Sequence, residues 1–331
     1  MGQEPKFIIT IGASAGGLEA LCEIVAQFHE DIDAAIFIVL HLSRRGIGEY
    51  LKHRLQQHTS LPCHVVTEEL SIEKGHIYVD PPDFHLIVKQ GLCKIGDGVE
   101  ENRWRPSIDV LFRTAAAAYG ERVIGLILTG LLDDGTAGMT AIKKCGGLVV
   151  VQDPNEAEYP EMPLSVLNNV SVDHSLPLAQ IGYVLFNYMQ RKELTDKPIP
   201  DEVLAEAEIS EKVATGIEVV EKLGEQSVYG CPDCGGGLWQ IEENGNRRYR
   251  CHIGHSYSEL DLLIKEQENI EKTLWIALRM MEERKHLLKR LASESTNKGL
   301  MTVAKDHRTR AEELERHIGV LKGILFKTKI D

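Results

Sequence analysis

The stretch FIITIGASAGGLEAL, Phe7 to Leu21, constrains this chain more than any other. An apolar, β-branched run enters glycines around one serine and then a helix-like segment, so the backbone must pass from strand to helix through a tight turn. Such units build parallel sheets covered by helices. The pattern continues to about Val170, with strands predicted at Phe7 to Ile11, Ala35 to Leu40, His76 to Val79, Val123 to Thr129 and Leu148 to Gln152. The expected fold is α/β, with a doubly wound, mostly parallel sheet of open strand order.

At 331 residues the chain exceeds the usual size of one domain, so smaller modules should accompany this unit. The α/β domain is expected over 1-190. Residues 191-228 turn Glu-rich, with Pro198 and Pro200 breaking any helix at the start, and read as a partly helical linker. A Cys/His module resembling a zinc ribbon follows over 229-257, and a helical hairpin over 258-331. In its first helix Leu263, Ile270, Leu274, Ala277, Met281, Leu288 and Leu291 recur at helical spacing. That stripe suits a hairpin core, or alternatively a homo-oligomer through these helices. SESTNKG, Ser293 to Gly299, reads as the turn, and the second helix should reach about Phe326.

The net charge of -13 argues against a nucleic-acid surface, which needs clustered Lys and Arg. No apolar run approaches the ~18 residues of a membrane span, and MGQEPKF lacks the features of a leader, so a cytoplasmic protein is expected. Cys22, Cys63, Cys93 and Cys145 are scattered and do not resemble a disulfide framework. Cys231-Pro-Asp-Cys234, sixteen residues, then Cys251-His252-Ile-Gly-His255 has zinc-ribbon spacing. Cys231, Cys234, Cys251 and His255 are the expected ligands of a structural zinc, with His252 as the spare. Four protein ligands would close the site to water.

The glycine turn around Ser14 suits either a phosphate cradle or a nucleophile elbow. A nucleotide P-loop needs Lys and Ser/Thr directly after the glycines, but Gly17 is followed by Leu18-Glu19. A dinucleotide site expects an acidic residue ending the second strand, where this chain has His41. That weakens a nucleotide-binding reductase. In open parallel sheets the strand ends converge, so Ser14, His41 and the Asp133-Asp134 pair after VIGLILTG suggest a nucleophile, its base and an orienting carboxylate. The plainer reading makes Ser14 a small residue in a tight turn. His76 and His85 are expected to be structural, and Arg105 and Asp109 either to line the site or, the favoured reading, to hold their loop.

IGASAGG, VLHLS, PPDFH, NRWRPSIDVLF, TGLLDDGTAGM and QDPNEAEYPEMP occur in that order. Together they resemble the catalytic domain of the chemotaxis protein-glutamate methylesterases, over about the first 185 residues. The resemblance implies hydrolysis of glutamate γ-methyl esters on chemoreceptor helices to glutamate and methanol, often with glutamine deamidation, and no catalytic cofactor. Ser14 would be the nucleophile, His41 the base and Asp134 its partner, with the Ala15 N–H facing the oxyanion and Met162 bordering the substrate channel. Ala15 stands where the family commonly has Thr, and Leu131-Leu132 where it has a Gly-rich loop. Those departures motivate an alternative, a weak or inactive signalling adaptor. Well-known members carry an N-terminal receiver domain, and with the first strand at Phe7 none is expected here. The Cys/His module and the following helix resemble an extension found on some members, with no function implied.

Overall fold

A computed structural model of the chain describes residues 3–41, 47–195, 197–211, 216–243 and 246–327. Leu42 and Ser43 of VLHLS, residues 196 and 212–215 of the expected linker, and the extreme C-terminus lie outside them. The chain divides into two compact units, Met1–Asp261 and Leu262–Asp331.

In chain order the first unit contains β1 (Phe7–Ala13), α1 (Gly17–Val25), β2 (Ala34–Leu40), α2 (Ile47–Gln56), β3 (Cys63–Val65), β4 (Leu70–Ser71), β5 (Ile77–Val79), β6 (His85–Lys89) and β7 (Leu92–Gly96). It continues through α3 (Ile108–Tyr119), β8 (Val123–Ile127), α4 (Thr136–Lys144), β9 (Leu148–Gln152), α5 (Glu161–Asn169), β10 (His174–Leu176), α6 (Leu178–Arg191), α7 (Asp201–Glu211) and α8 (Ile217–Glu221). The main sheet has the order β10-β9-β8-β1-β2-β5-β3 and every pairing in it is parallel. The doubly wound α/β expectation holds. From central β1 the chain winds outward through β2 on one side and later through β8 on the other. The carboxyl ends of β1, β2 and β8 therefore meet at a topological switch point, where open α/β sheets place their sites.

The strands are nearly continuous apolar runs because both sheet faces are covered. Phe7, Ile9 and Ile11 join Ile36 and Ile38 in a core shared with α1 and α6, while Ile8, Ala35, Phe37 and Val39 face α3, α4 and α5. Period-two alternation within one run thus feeds two cores.

Segment 191–228 differs from a linker. Helix α7 buries Val203, Glu206, Ala207, Ile209 and Ser210. Glu206 lies 3.1 Å from Arg113 Nε, and Arg248 Nη1 donates to it at 2.7 Å. A Glu-rich segment reads as solvated, but here its charges have buried partners. Arg248 belongs to a four-stranded antiparallel sheet, β11 (Glu225–Gly230), β12 (Gly237–Glu243), β13 (Asn246–Arg250) and β14 (Ser256–Ser258), which carries the Cys/His module.

The second unit is built on α9 (Glu259–Asn297), which begins at the end of the first, and α10 (Met301–Lys327). Ser293 to Asn297 continue the helix, and the reversal needs only three residues around Gly299, at φ +75°. Leu278, Ile318 and Leu325 form the buried centre, with Leu274, Met281 and Leu321 against them. Lys285 and Lys289 reach Glu315, and Lys322 reaches Glu282. Leu278 was absent from the expected stripe, while Leu263 and Ile270 in that stripe are exposed. At 39 against 27 residues, α9 is longer than α10 by roughly 18 Å, so its first turns outrun their partner within the hairpin.

Candidate active site

Register brings the first two residues together. Ala13 is opposite Leu40 in the β1–β2 ladder, and the His41 N–H donates to Ala13 O at 3.1 Å, so Ser14 and His41 emerge side by side. On the other side the Ser14 N–H donates to Thr129 O at 3.0 Å, tying the serine to the loop after β8. Gly16 turns the chain into α1 at φ +71°, a conformation that favours glycine. Ser14, His41 and Asp134 are all buried, with 8%, 5% and 3% of their surface exposed.

His41 Nε2 lies 3.0 Å from Asp134 Oδ2, within hydrogen-bond distance though off the ideal N–H axis. Such contacts are often loosely aligned before substrate binds. Asp134 receives further donors from the start of α3: Ile108 N–H at 2.7 Å on Oδ2, and Ser107 Oγ at 2.9 Å and Asp109 N–H at 3.3 Å on Oδ1. Asn102 Nδ2 adds a fourth at 3.1 Å. A carboxylate from one loop thus satisfies the free N–H groups of another element's helix end. Burial pushes the Asp134 pKa up, but His41 and these donors outweigh it and hold the carboxyl below its ordinary value. The neighbouring Asp133 is elsewhere, interacting with Ser258 and Asp261; burial, and then the Asp261 charge, push it up to about 7.

Three groups that the sequence reading missed complete the site. The Trp104 indole stacks on the His41 ring, with centroids 4.1 Å apart and planes 8° from parallel. The indole thereby covers one face of the imidazole ring. Asn102 joins Asp134 to Asp109, donating to Asp109 Oδ2 at 2.6 Å, and Ser107 completes the set. All lie in or beside NRWRPSIDVLF, and polar and aromatic residues packed so densely before a helix were the available signal.

The other expected residues are placed as follows. Among the described residues none accepts the Ala15 N–H, which leaves that donor available next to Ser14. Met162 is fully buried, and a Cβ on Gly130 would sit 2.1 Å from its Sδ and 2.8 Å from Ser14 Cβ. Met162 therefore backs the Gly130 loop instead of bordering open space, contrary to the channel expectation. His85 accepts from the Ser107 N–H and meets Val99 O, His76 meets His64, and Arg105 donates to Gly98 O. Asp109 accepts the Gly138 N–H at 2.6 Å.

In the Cys/His module the donor atoms of Cys231, Cys234, Cys251 and His255 all lie within 4.8 Å of one another. Cys234 and Cys251 Sγ are 3.8 Å apart, and Cys251 Sγ is 3.4 Å from His255 Nδ1. Tetrahedral zinc bonds would set such S···S and S···N separations at about 3.8 and 3.5 Å, so the donor set fits zinc. His252 is outside it, edge-on to Trp239.

A family profile described as CheB methylesterase matches residues 9–185. A relative from Leptospira interrogans is 40% identical over 175 residues, which are 53% of this chain and 90% of that protein. The Methanosarcina mazei protein named protein-glutamate methylesterase/protein-glutamine glutaminase 2 is 36% identical over 183 residues, 53% of this chain and 50% of that one. The crystal structure of the Thermotoga maritima CheB methylesterase catalytic domain is similar at a TM-score of 0.53 and 30% identity, covering 55% of this chain and 97% of that one.

Proposed function

The chain belongs to the CheB methylesterase family, and we propose that it hydrolyses glutamate γ-methyl esters on chemoreceptor helices in the cytoplasm, releasing methanol. The observation that carries this reading is the contact of His41 Nε2 with Asp134 at 3.0 Å, beside a β1–β2 register that puts Ser14 and His41 at neighbouring strand ends.

Asp134 holds the proton of His41 on Nε2, which leaves Nδ1 to take the proton of Ser14. Ser14 Oγ attacks the ester carbonyl, and the Ala15 N–H meets the oxygen as it becomes negative. The imidazolium, against the face of Trp104, returns its proton to the departing methoxide. Water, deprotonated by the same Nδ1, then cleaves the acyl-serine to glutamate. With a glutamine side chain the same steps release ammonia. No step requires a cofactor.

The fit of the Cys3His set supports one zinc per chain as a closed, structural site. Metal analysis of protein purified without chelator should give about one zinc per chain, and none would remove this assignment. The apolar residues exposed along α9, including Leu263, Ile270 and Trp275, support a homo-oligomer through these helices. No helix among the described residues is long and apolar enough to cross a membrane.

The deciding measurement is methanol release from methylated chemoreceptor helices by the wild-type chain and Ser14→Ala. Release abolished in the variant supports the serine mechanism. Absence of release by the wild type favours an adaptor, whose motive would be the Leu131-Leu132 departure.

A further inference from the structure

Residues 101–104 carry both Asn102, which holds Asp134, and Trp104, which covers His41. They form a reverse turn closed by Glu101 N–H to Trp104 O at 3.2 Å and Trp104 N–H to Glu101 O at 2.9 Å. Its two central residues, Asn102 and Arg103, have φ of +49° and +68°, where glycine is preferred. A strained turn of this kind persists only when its surroundings over-determine it.

Much of that support comes from the Cys/His ribbon. Arg250 ion-pairs with Glu101, which also receives Arg113 Nη1 at 3.0 Å and Ser210 Oγ at 2.8 Å. Burial would raise the Glu101 pKa, but Arg113 and Arg250 outweigh it and hold the carboxyl at about 2. The Asn102 N–H donates to Ser256 O at 2.9 Å, and Glu101 bridges to Ser256 as a strand would. Arg250 directly precedes Cys251, and Ser256 directly follows His255. The two ribbon residues that grip the turn are therefore each bonded to one of the four metal donors.

We infer that the ribbon is a positioning element for the esterase site: fixing Cys251 and His255 fixes Arg250 and Ser256, and these hold Asn102 on Asp134 and Trp104 on His41. Arg250 and Ser256 touch no substrate and act through the turn. The inference rests on the methylesterase reading for its effect on turnover, whereas the coupling of ribbon to turn stands apart from it.

The test is amide hydrogen exchange on the full chain, with its metal content measured before and after chelation, beside methanol release. Metal removal should speed exchange at residues 101–104 by at least about tenfold, the loss of roughly one hydrogen bond's support, and leave β1 and β2 unchanged. Turnover should fall more through kcat than KM. Arg250→Met leaves Glu101 paired with Arg113 and Ser210, so it should fold and keep its metal, yet show the same local loosening. Arg250→Lys should recover part of the protection. Unchanged exchange at 101–104 in verified metal-free protein, or in Arg250→Met, overturns the proposal. So does loss of protection spread evenly over the main sheet, which would make the metal a general requirement for folding. If the wild type releases no methanol, the methylesterase reading fails and the exchange measurements still decide the coupling.

Discussion

Replacing Asp134 by Asn changes one atom and tests the central contact of the site. Oδ1 receives three donors, from Asn102, Ser107 and Asp109, whereas Oδ2 receives the Ile108 N–H and faces His41. The amide will keep its oxygen toward the three donors and place its NH2 at Oδ2. Two consequences follow. The Ile108 N–H loses its acceptor, costing about 1–3 kcal/mol of stability. The NH2 also donates to His41 Nε2, so the ring proton moves to Nδ1, the nitrogen that must accept from Ser14. A wrong tautomer of this kind costs about 10⁴ in kcat, or ~5.5 kcal/mol of barrier, with KM little changed. Asp133→Asn should change kcat by less than about tenfold, because Asp133 interacts with Ser258 and Asp261. Methanol release measured on both variants, beside urea unfolding of each, separates the catalytic loss from the structural one. If Asp134→Asn keeps more than a tenth of the activity, or Asp133→Asn falls further, the assignment of His41's partner is wrong.

Three further outcomes are expected. Burial pushes the Asp80 carboxyl up to about 7 against the opposing Leu40 N–H, so from about pH 4 to 7 the folded state keeps a proton that the unfolded chain has released. Stability supplied by this group therefore falls as pH rises through that window; Asp80→Asn should flatten it, by at most ~4 kcal/mol, and equal pH slopes in urea titrations would contradict this. Glu206→Gln leaves Arg248 and Arg113 short of a buried partner and should cost about 3–5 kcal/mol in chemical unfolding, whereas a cost below 1 would return α7 to the status of a linker. Leu132 adopts φ +66°, a conformation that favours glycine, so Leu132→Gly should unfold at higher urea than Leu132→Ala, the reverse of the usual order; Ala the more stable would show that the loop carries no strain.

The parts of this structure legible in the sequence were those written in period and position. Five strands of the main sheet are visible as apolar runs, and the register of two of them puts Ser14 and His41 side by side, with Asp134 3.0 Å from His41. Spacing likewise located the four Cys/His donors that the fold collects. What escaped was partnership. Helix α7 carries Glu206 and Ser210, polar residues that look solvated until Arg113, nearly a hundred positions earlier, and Arg248 are brought to them. Trp104 and Asn102 gave no signal of their target because the turn that aims them is stabilised from residues 250–256. Leu278 was overlooked because several apolar stripes on α9 are equally periodic, and only the position of α10 selects one.

The parallel register of β1 against β2 has a consequence for how such a chain can change. Ser14 and His41 are neighbours only because Phe7 starts opposite Ala34 and six residues later Ala13 meets Leu40. One residue inserted within either strand would slide Ser14 or His41 along by about 3.3 Å and exchange the two sheet faces for every residue beyond it. The separation of Ser14 and His41 is thus counted in strand residues. Insertions and deletions should be tolerated in the connections at the opposite edge of the sheet, before Phe7 or between Ala26 and Asp33, while the strands themselves admit none.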